Sequence, residues 1–153
     1  MKSNKKTVNS SLSLWLQLMK CTKAVEAHIA GQFRRAHNQS LARFDVLSQL
    51  YRFDGNWMAI GKVADLIMAS GGNITGLLDR MVSEDLIERR ASPTDRRSFQ
   101  IRMTREGRKK FNQMTKDHEI WVADMMANLQ ERDKEHLTEL LINVRRAFEP
   151  VTK

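Results

Sequence analysis

Apolar residues recur at spacings of three and four along most of the chain, which predicts a mainly helical protein. The first such stripe starts after residue 10 and runs to residue 37. It consists of Leu14, Leu18, Cys21, Val25, Ile29 and Phe33, and a second apolar group (Leu12, Trp15, Leu16, Met19) lies beside its first half. An arc this wide needs more than one packing partner, so we expect the helix to pack on its own domain and on a second subunit.

Three shorter helices are predicted between residues 41 and 83. Ser40 is a suitable N-cap for a helix from Leu41 to about Phe53. After the turn residues 54–56, Trp57 and Met58 lead into a second helix from Ile60 to about Met68. In the third helix one face is apolar (Ile74, Leu77, Leu78, Met81, Val82), and the opposite face is polar (Asn73, Thr75, Gly76, Asp79, Arg80, Ser83). Short polar side chains let a helix approach base edges in the major groove, but a solvent-exposed face has the same composition.

The apolar period changes from helical to alternating between residues 86 and 103, which predicts a β-hairpin with turn residues at 92–95. Phe99, Ile101 and Met103 are expected on one face. Arg96 and Arg97 fall at or beside the tip, where arginine can enter an A·T-rich minor groove. We expect Asp95 to hold one guanidinium in a fixed geometry. The alternative is an exposed hairpin whose charge serves solubility.

Two further helices complete the pattern. Thr104 is a predicted N-cap, and the helix after it presents Phe111, Met114, His118, Trp121, Met125 and Leu129 on one stripe. Residues 131–133 open a last helix that Pro150 stops, with Leu137, Leu140, Leu141, Val144 and Phe148 on one face.

Charge adds a partner class to this outline. The 26 basic and 18 acidic residues give a net charge of +8 and a pI near 10.0, which favours a polyanion, most often nucleic acid. Nine basic and two acidic residues lie within 89–110, whereas the segment 111–153 holds six basic and eight acidic residues. Residues 1–40 hold seven basic residues and one acidic residue, so the positive charge lies in this first segment and in a local cluster around the predicted hairpin.

Several function classes are disfavoured by what the chain lacks. Cys21 is the single cysteine, so an intrachain disulfide is excluded, and its place in the first stripe predicts a buried structural thiol, with oxidation sensing as the alternative. The sequence has no apolar run for a signal peptide or membrane span, so a cytoplasmic protein with no membrane partner is expected. The four histidines are scattered, and the chain has no glycine-rich phosphate loop. We therefore expect no enzyme, metal site or cofactor.

Helices followed by a helix-turn-helix and a basic hairpin resemble the MarR family of bacterial winged helix-turn-helix regulators. The resemblance is carried by NITGLLDRM at 73–81, DLIERR at 85–90, DRR at 95–97 and MTREGRK at 103–109, and it extends over nearly the whole chain. Two positions depart from the family pattern. Asp85 stands where a glycine is usual, although Asp tolerates a left-handed conformation. Gly76 stands where a larger contact residue is frequent, so the base preference is not readable.

The resemblance implies a mainly α fold of the α+β winged-helix type, with long terminal helices that dimerise. It divides the chain into a flexible basic tail (1–10), a winged helix-turn-helix domain (38–110), and a helical dimerisation region formed by 11–37 and 111–150. A homodimer would then place two recognition helices roughly 34–36 Å apart on a palindromic double-stranded DNA operator.

The resemblance also implies particular DNA contacts. Asn73, Thr75 and Arg80 would face the major groove, with Gly76 among them. Arg97 would enter the minor groove, positioned by Asp95. Arg96 would contact a phosphate, and Ser70 and Gly72 would approach the DNA backbone.

Members of the family bind effectors in a crevice between the dimerisation helices and the winged domain. The candidate lining residues are Trp15, Met19, Arg34, Arg43, Phe44 and Trp121, and the alternative for each is ordinary packing. Aromatic and methionine side chains suit a planar apolar ligand, and arginine suits an acid or a phosphate. These residue types favour a repressor released by an aromatic acid or its CoA thioester. A redox-sensing regulator using Cys21 and a non-specific architectural DNA-binding protein are the alternatives.

Overall fold

The computed structural model describes residues 2–67, 74–95 and 97–148, with side chains from residue 9 onward. In these ranges the helices are α1 (Lys2–His37), α2 (Leu41–Arg52), α3 (Ile60–Leu66), α4 (Ile74–Ser83), α5 (Arg105–Met125) and α6 (Glu131–Arg146). The strands are β1 (Met58–Ala59), β2 (Ile87–Ala91) and β3 (Phe99–Met103). The predicted mainly helical, winged-helix fold class is confirmed. The helices of the described ranges include none with the length and apolar character that crossing a membrane requires.

The chain divides into two compact units, residues 1–118 and 119–153. The first contains α1 to α4, the sheet and most of α5, and the second contains the end of α5 and α6. The predicted stop at Pro150 lies outside the described residues.

Helix α1 begins at Lys2, so residues 2–10, which we expected to form a flexible tail, are helical. Extending an existing helix adds a hydrogen bond for each residue fixed and needs no new nucleus, which explains how a polar segment joins it. Only the second half of α1 enters the core, through Ile29 and Phe33. In the first half Trp15 and Met19 are 55% and 41% exposed.

An aromatic cluster joins α1, α2 and α5 at the centre of the first unit. The Phe44 ring lies 4.7 Å from Phe33, 5.4 Å from Phe111 and 5.0 Å from His118, measured between centroids. Val46, Leu47 and Leu50 of α2 are buried beside it. Helix α2 begins as predicted, because the Ser40 Oγ accepts a hydrogen bond from the Arg43 backbone N–H.

The three strands form one antiparallel sheet in the order β1-β3-β2. The β2–β3 hairpin pairs Ile87 with Met103 and Ala91 with Phe99, as the alternating pattern predicted. Strand β1, which pairs Met58 with Ile101, was missed because two residues are too few to display a period. Phe99, Ile101 and Met103 alternate onto one face of β3 as expected; Ile101 and Met103 are buried there, whereas Phe99 is 41% exposed near the hairpin tip.

A compact junction joins α4, β2 and α5. Asp85 adopts the left-handed conformation with φ of 55°, and the Leu86 N–H donates to the Met81 carbonyl at 2.9 Å. Thr104 caps α5 by accepting from the Gly107 N–H at 2.9 Å, and its hydroxyl donates to the Asp85 carbonyl. Both the tolerance of Asp at position 85 and the predicted N-cap are therefore confirmed.

Candidate nucleic-acid interface

Helix α4 is amphipathic as the sequence predicted, except that Val82, which was expected on the apolar face, is exposed. Leu78 and Met81 are buried, whereas Thr75, Asp79 and Arg80 are exposed on the opposite face. Gly76 lies between the two faces and is half-buried. Three of the predicted DNA contacts that precede the helix, Ser70, Gly72 and Asn73, lie outside the described residues.

Arg89 of β2 links α4 to the hairpin. Its Nη1 lies 3.0 Å from Asp79 Oδ1, and its guanidinium carbon lies 4.0 Å from the centroid of the Phe99 ring. An ion pair on one side and an aromatic face on the other restrict the guanidinium to a narrow set of positions. Sequence reasoning gave Arg89 no role. The available signal was strand alternation, which places residues 87 and 89 on the face of the hairpin that packs on α4.

A cleft of about 390 Å³ lies between α4 and the hairpin. It is lined by Ala59, Ile60, Gly61, Thr75, Leu78, Arg89, Arg97, Ser98 and Phe99. Two predicted DNA contacts, Thr75 and Arg97, therefore lie on the same cleft, with Arg89 between the elements that carry them. The polar groups of this mainly apolar lining include the guanidinium of Arg97 and the hydroxyls of Thr75 and Ser98, which are of the kind that bind phosphate, whereas the guanidinium of Arg89 is paired with Asp79.

The hairpin tip is held by backbone hydrogen bonds. Asp95 Oδ1 accepts from the Arg97 backbone N–H at 2.9 Å, and the Asp95 carbonyl accepts from the Ser98 N–H at 3.0 Å. We expected Asp95 to orient a guanidinium; its contact with Arg97 in the structure is to the backbone N–H, so the carboxylate fixes the turn that carries Arg97. The Arg97 side chain is exposed. Arg96 lies outside the described residues.

The face of the sheet opposite α4 carries a stacked ladder of charged residues. The guanidinium carbons of Arg90 and Arg102 lie 4.2 Å and 4.6 Å from the centroid of the Trp57 ring system. Arg90 donates to Gln100 at 3.0 Å, and Arg102 pairs with Glu88 at 2.7 Å. These cross-strand contacts stiffen the hairpin and hold the guanidiniums of Arg90 and Arg102 against the Trp57 ring.

Arg43, a predicted effector residue, is engaged by the protein itself. Its Nη1 and Nη2 donate to the two carboxylate oxygens of Glu84 at 2.7 Å and 2.6 Å, and Nη1 also donates to Gln39 Oε1 at 2.8 Å. The hydrogen bond from Arg43 holds the pKa of the Glu84 carboxyl below its usual range, although desolvation opposes this. Asp45, two residues further along α2, behaves oppositely, because burial and the charge of Glu26 raise its pKa.

The other predicted effector residues are spread over several settings. Phe44 is 8% exposed and packs in the aromatic cluster. Trp15, Met19 and Arg34 lie exposed on α1, and Trp121 is half-buried in the second unit. The structure therefore gives Phe44 and Arg43 packing and pairing roles that sequence reasoning offered only as alternatives.

Cys21 is exposed, so its expected burial was wrong. On the stripe that contains it, burial in the first unit's core begins only further along α1, at Ile29 and Phe33. Among the described residues, no three His, Cys, Asp or Glu side chains are grouped to hold a metal ion. One long-range histidine contact was missed, in which His37 Nε2 lies 2.8 Å from Asp117 Oδ2.

A helix-turn-helix followed by an antiparallel sheet with a basic hairpin defines a winged helix-turn-helix DNA-binding protein. Residues 40–99 match the family model described as "MarR family". The chain is 29% identical over 134 residues to the HTH-type transcriptional regulator MhqR of Bacillus subtilis (strain 168), covering 88% of this chain and 90% of that relative. These matches support a winged-helix DNA-binding regulator of the MarR type, and the proteins matched are transcriptional regulators rather than enzymes, in agreement with the prediction.

Two solved structures of similar fold contain a bound partner, which is DNA in one and a small aromatic molecule in the other. Sco3205, a MarR family transcriptional regulator from Streptomyces coelicolor in complex with DNA, gives a TM-score of 0.79 at 16% identity, covering 92% of this chain and 88% of that one. The organohalide-sensing regulator RdhR-CbdbA1625, in its 2,4-dichlorophenol-bound form, gives a TM-score of 0.76 at 18% identity. The match covers 90% of this chain and 80% of that one.

Proposed function

We propose that the protein is a homodimeric repressor that binds a palindromic operator and is released by a small aromatic acid or its CoA thioester. The observation that carries the DNA-binding part is the cleft where α4 and the hairpin present Thr75, Arg89 and Arg97 together. A DNA backbone phosphate placed there would fix the register of the flanking contacts.

In this proposal the base-reading contacts come from the exposed face of α4. Thr75, Gly76 and Arg80, together with Asn73, face the major groove, and Arg97 enters the minor groove. Ser70, Gly72 and Arg96 approach the backbone, while Asp95 holds the turn that carries Arg97. These assignments follow the family resemblance, and the exposure of Thr75, Arg80 and Arg97 supports them.

Dimerisation is supported by apolar side chains that a single chain leaves exposed. They lie on α1 (Leu12, Leu14, Trp15, Leu16, Met19) and on α6 (Leu137, Leu140, Leu141, Val144). Burying these side chains against a second copy would remove them from water, and a two-fold axis would match a palindromic site.

Effector release is supported by residue chemistry and by one structural neighbour. RdhR-CbdbA1625 was solved with 2,4-dichlorophenol, an aromatic ligand. In this chain the candidate contacts are Trp15, Met19, Arg34, Arg43, Phe44 and Trp121, of which Arg43 already binds Glu84 and Phe44 packs in the aromatic cluster. Calorimetry against a panel of phenols, aromatic acids and CoA thioesters tests this part. Heat from none of these compounds would refute the effector assignment while leaving DNA binding intact.

The DNA-binding proposal is tested by fluorescence anisotropy with DNA from upstream of the protein's own gene and with random duplexes. A repressor binds one upstream site much more tightly than random DNA at physiological salt. Equal affinity for both would instead support the architectural alternative.

Replacing Arg97 with alanine tests the wing contact. We expect operator binding to weaken by about 1–3 kcal/mol, because the acceptors in the DNA groove lose the guanidinium that donates to them. Arg132→Ala in α6 removes the same charge from an exposed helix and serves as the matched control. Equal, small changes in both variants would show that Arg97 acts only through net charge.

A further inference from the structure

The ion pair between Arg43 and Glu84 is better built than a surface pair. Both nitrogens of the guanidinium fork are used, at 2.7 Å and 2.6 Å, and Gln39 accepts a further hydrogen bond at 2.8 Å. The Arg43 side chain is 12% exposed and the Glu84 side chain is 44% exposed. A guanidinium bound at both nitrogens and shielded from water fixes the carboxylate in orientation as well as in distance.

The pair connects two places that matter for α4. Glu84 immediately follows the last residue of α4, and Asp85 then turns the chain into β2. Arg43 lies in the first turn of α2, beside the N-cap Ser40. On the other side, Thr104 holds the Asp85 carbonyl. Contacts from α2 and from the residue that precedes α5 therefore fix the C-terminal end of α4.

A small tilt of α4 about its C-terminal end displaces its N-terminal turn by a much larger distance. Helix α4 has ten residues and is about 15 Å long, so a tilt of about 10° about its C-terminal end moves its first turn by about 2–3 Å. Thr75 lies in that first turn. A displacement of this size breaks hydrogen bonds to base edges, which tolerate only a few tenths of an ångström.

We propose that Arg43 and Glu84 form a positioning pair that sets the orientation of the recognition helix, so that operator selectivity depends on two side chains outside the DNA contact face. This inference rests on the proposed operator binding and assigns it a further determinant. It also gives Arg43 a role different from the effector contact expected from sequence.

The test uses a DNA site that the wild-type full-length protein enriches from a random duplex library, and an unselected duplex of equal length. Glu84→Gln should bind the selected site about 5- to 30-fold more weakly, in the range of coupling measured for paired side chains. Its affinity for unselected DNA should stay constant or rise slightly, because a negative charge has been removed. Arg43→Lys, which keeps the charge but loses the fork, should show an intermediate loss.

The exchange variant Arg43→Glu/Glu84→Arg provides the rescue, and we expect it to recover most of the selectivity lost in Glu84→Gln. Stoichiometric titration gives the active fraction of each preparation, so that affinity refers to folded protein alone. A lower active fraction with unchanged selectivity would show that the pair only stabilises the fold, and this result would overturn the proposal. A parallel rise in affinity for both DNAs would overturn it as well, since only bulk charge would then matter. If the wild-type protein enriches no site, the operator-binding function itself fails.

Discussion

At the scale of single residues, Gly107 occupies a position with no room for a side chain. A Cβ at this position would lie 1.9 Å from the Leu86 carbonyl oxygen and 3.0 Å from the Met103 side chain. The carbonyl cannot retreat, because it accepts a hydrogen bond from the Thr104 N–H. The absence of a side chain at Gly107 lets α5 start directly against the entry to β2.

Gly107→Ala should therefore lower the free energy of unfolding by about 2–4 kcal/mol, because a backbone segment has to shift. Urea denaturation at fixed protein concentration measures the change. Gly61→Ala in α3 is the matched control, since no atom lies within 4 Å of its added Cβ. We expect the control to be neutral or more stable by up to about 1 kcal/mol. Similar losses in the two variants would contradict the steric argument.

At the scale of elements, the hairpin is stiffened from both faces. Arg89 ties β2 to α4 through Asp79, and Trp57 stacks with Arg90 and Arg102 on the other face. Trp57 reaches these arginines because β1 pairs with β3 next to it. Strand β1 thus adds little backbone pairing of its own, and its main effect is to position the Trp57 ring against the two arginines.

Trp57→Ala should loosen the hairpin and cost about 1–2 kcal/mol of stability, since two stacked guanidiniums lose their support. Hydrogen exchange of residues 87–103 should become faster, while exchange in α2 stays unchanged. Trp57→Phe keeps an aromatic face and should retain most of the protection. Uniform acceleration across the protein would show global destabilisation rather than a local effect on the hairpin.

The elements differ in how far the sequence alone predicts them. Periodicity located α2, α4 and the hairpin, and N-cap chemistry located Ser40 and Thr104, because these signals are local. Contacts between distant residues were beyond local patterns: Arg43 with Glu84, Arg89 with Asp79, and His37 with Asp117. Asp95 was correctly placed in the turn, but whether its carboxylate would meet a side chain or a backbone N–H depends on the turn geometry itself.

At the scale of the whole molecule, each unit carries an apolar face that it does not bury. In the second unit the exposed residues of α6 include Leu137, Leu140 and Val144. Within one chain these side chains contribute little to folding, so changing them should affect assembly more than the fold of the chain.

Leu140→Glu should shift the protein from dimer to monomer in sedimentation, because the interface would have to desolvate a carboxylate. Operator affinity should then fall on the order of 100-fold or more, since two half-sites are no longer held together. Thr138→Glu adds the same charge at an exposed position beside the apolar stripe and should leave both measurements nearly unchanged. A Leu140→Glu protein that remains dimeric would place the interface elsewhere.

The exposed apolar stripes also make the stability of the regulator depend on its concentration. If two chains must meet before these side chains leave water, the folded population follows mass action. Each tenfold dilution then costs about 1.4 kcal/mol of apparent stability. Copies made at very low levels would spend more time open to proteases than the same copies made in excess. Scarcity alone would thus shorten the lifetime of the regulator.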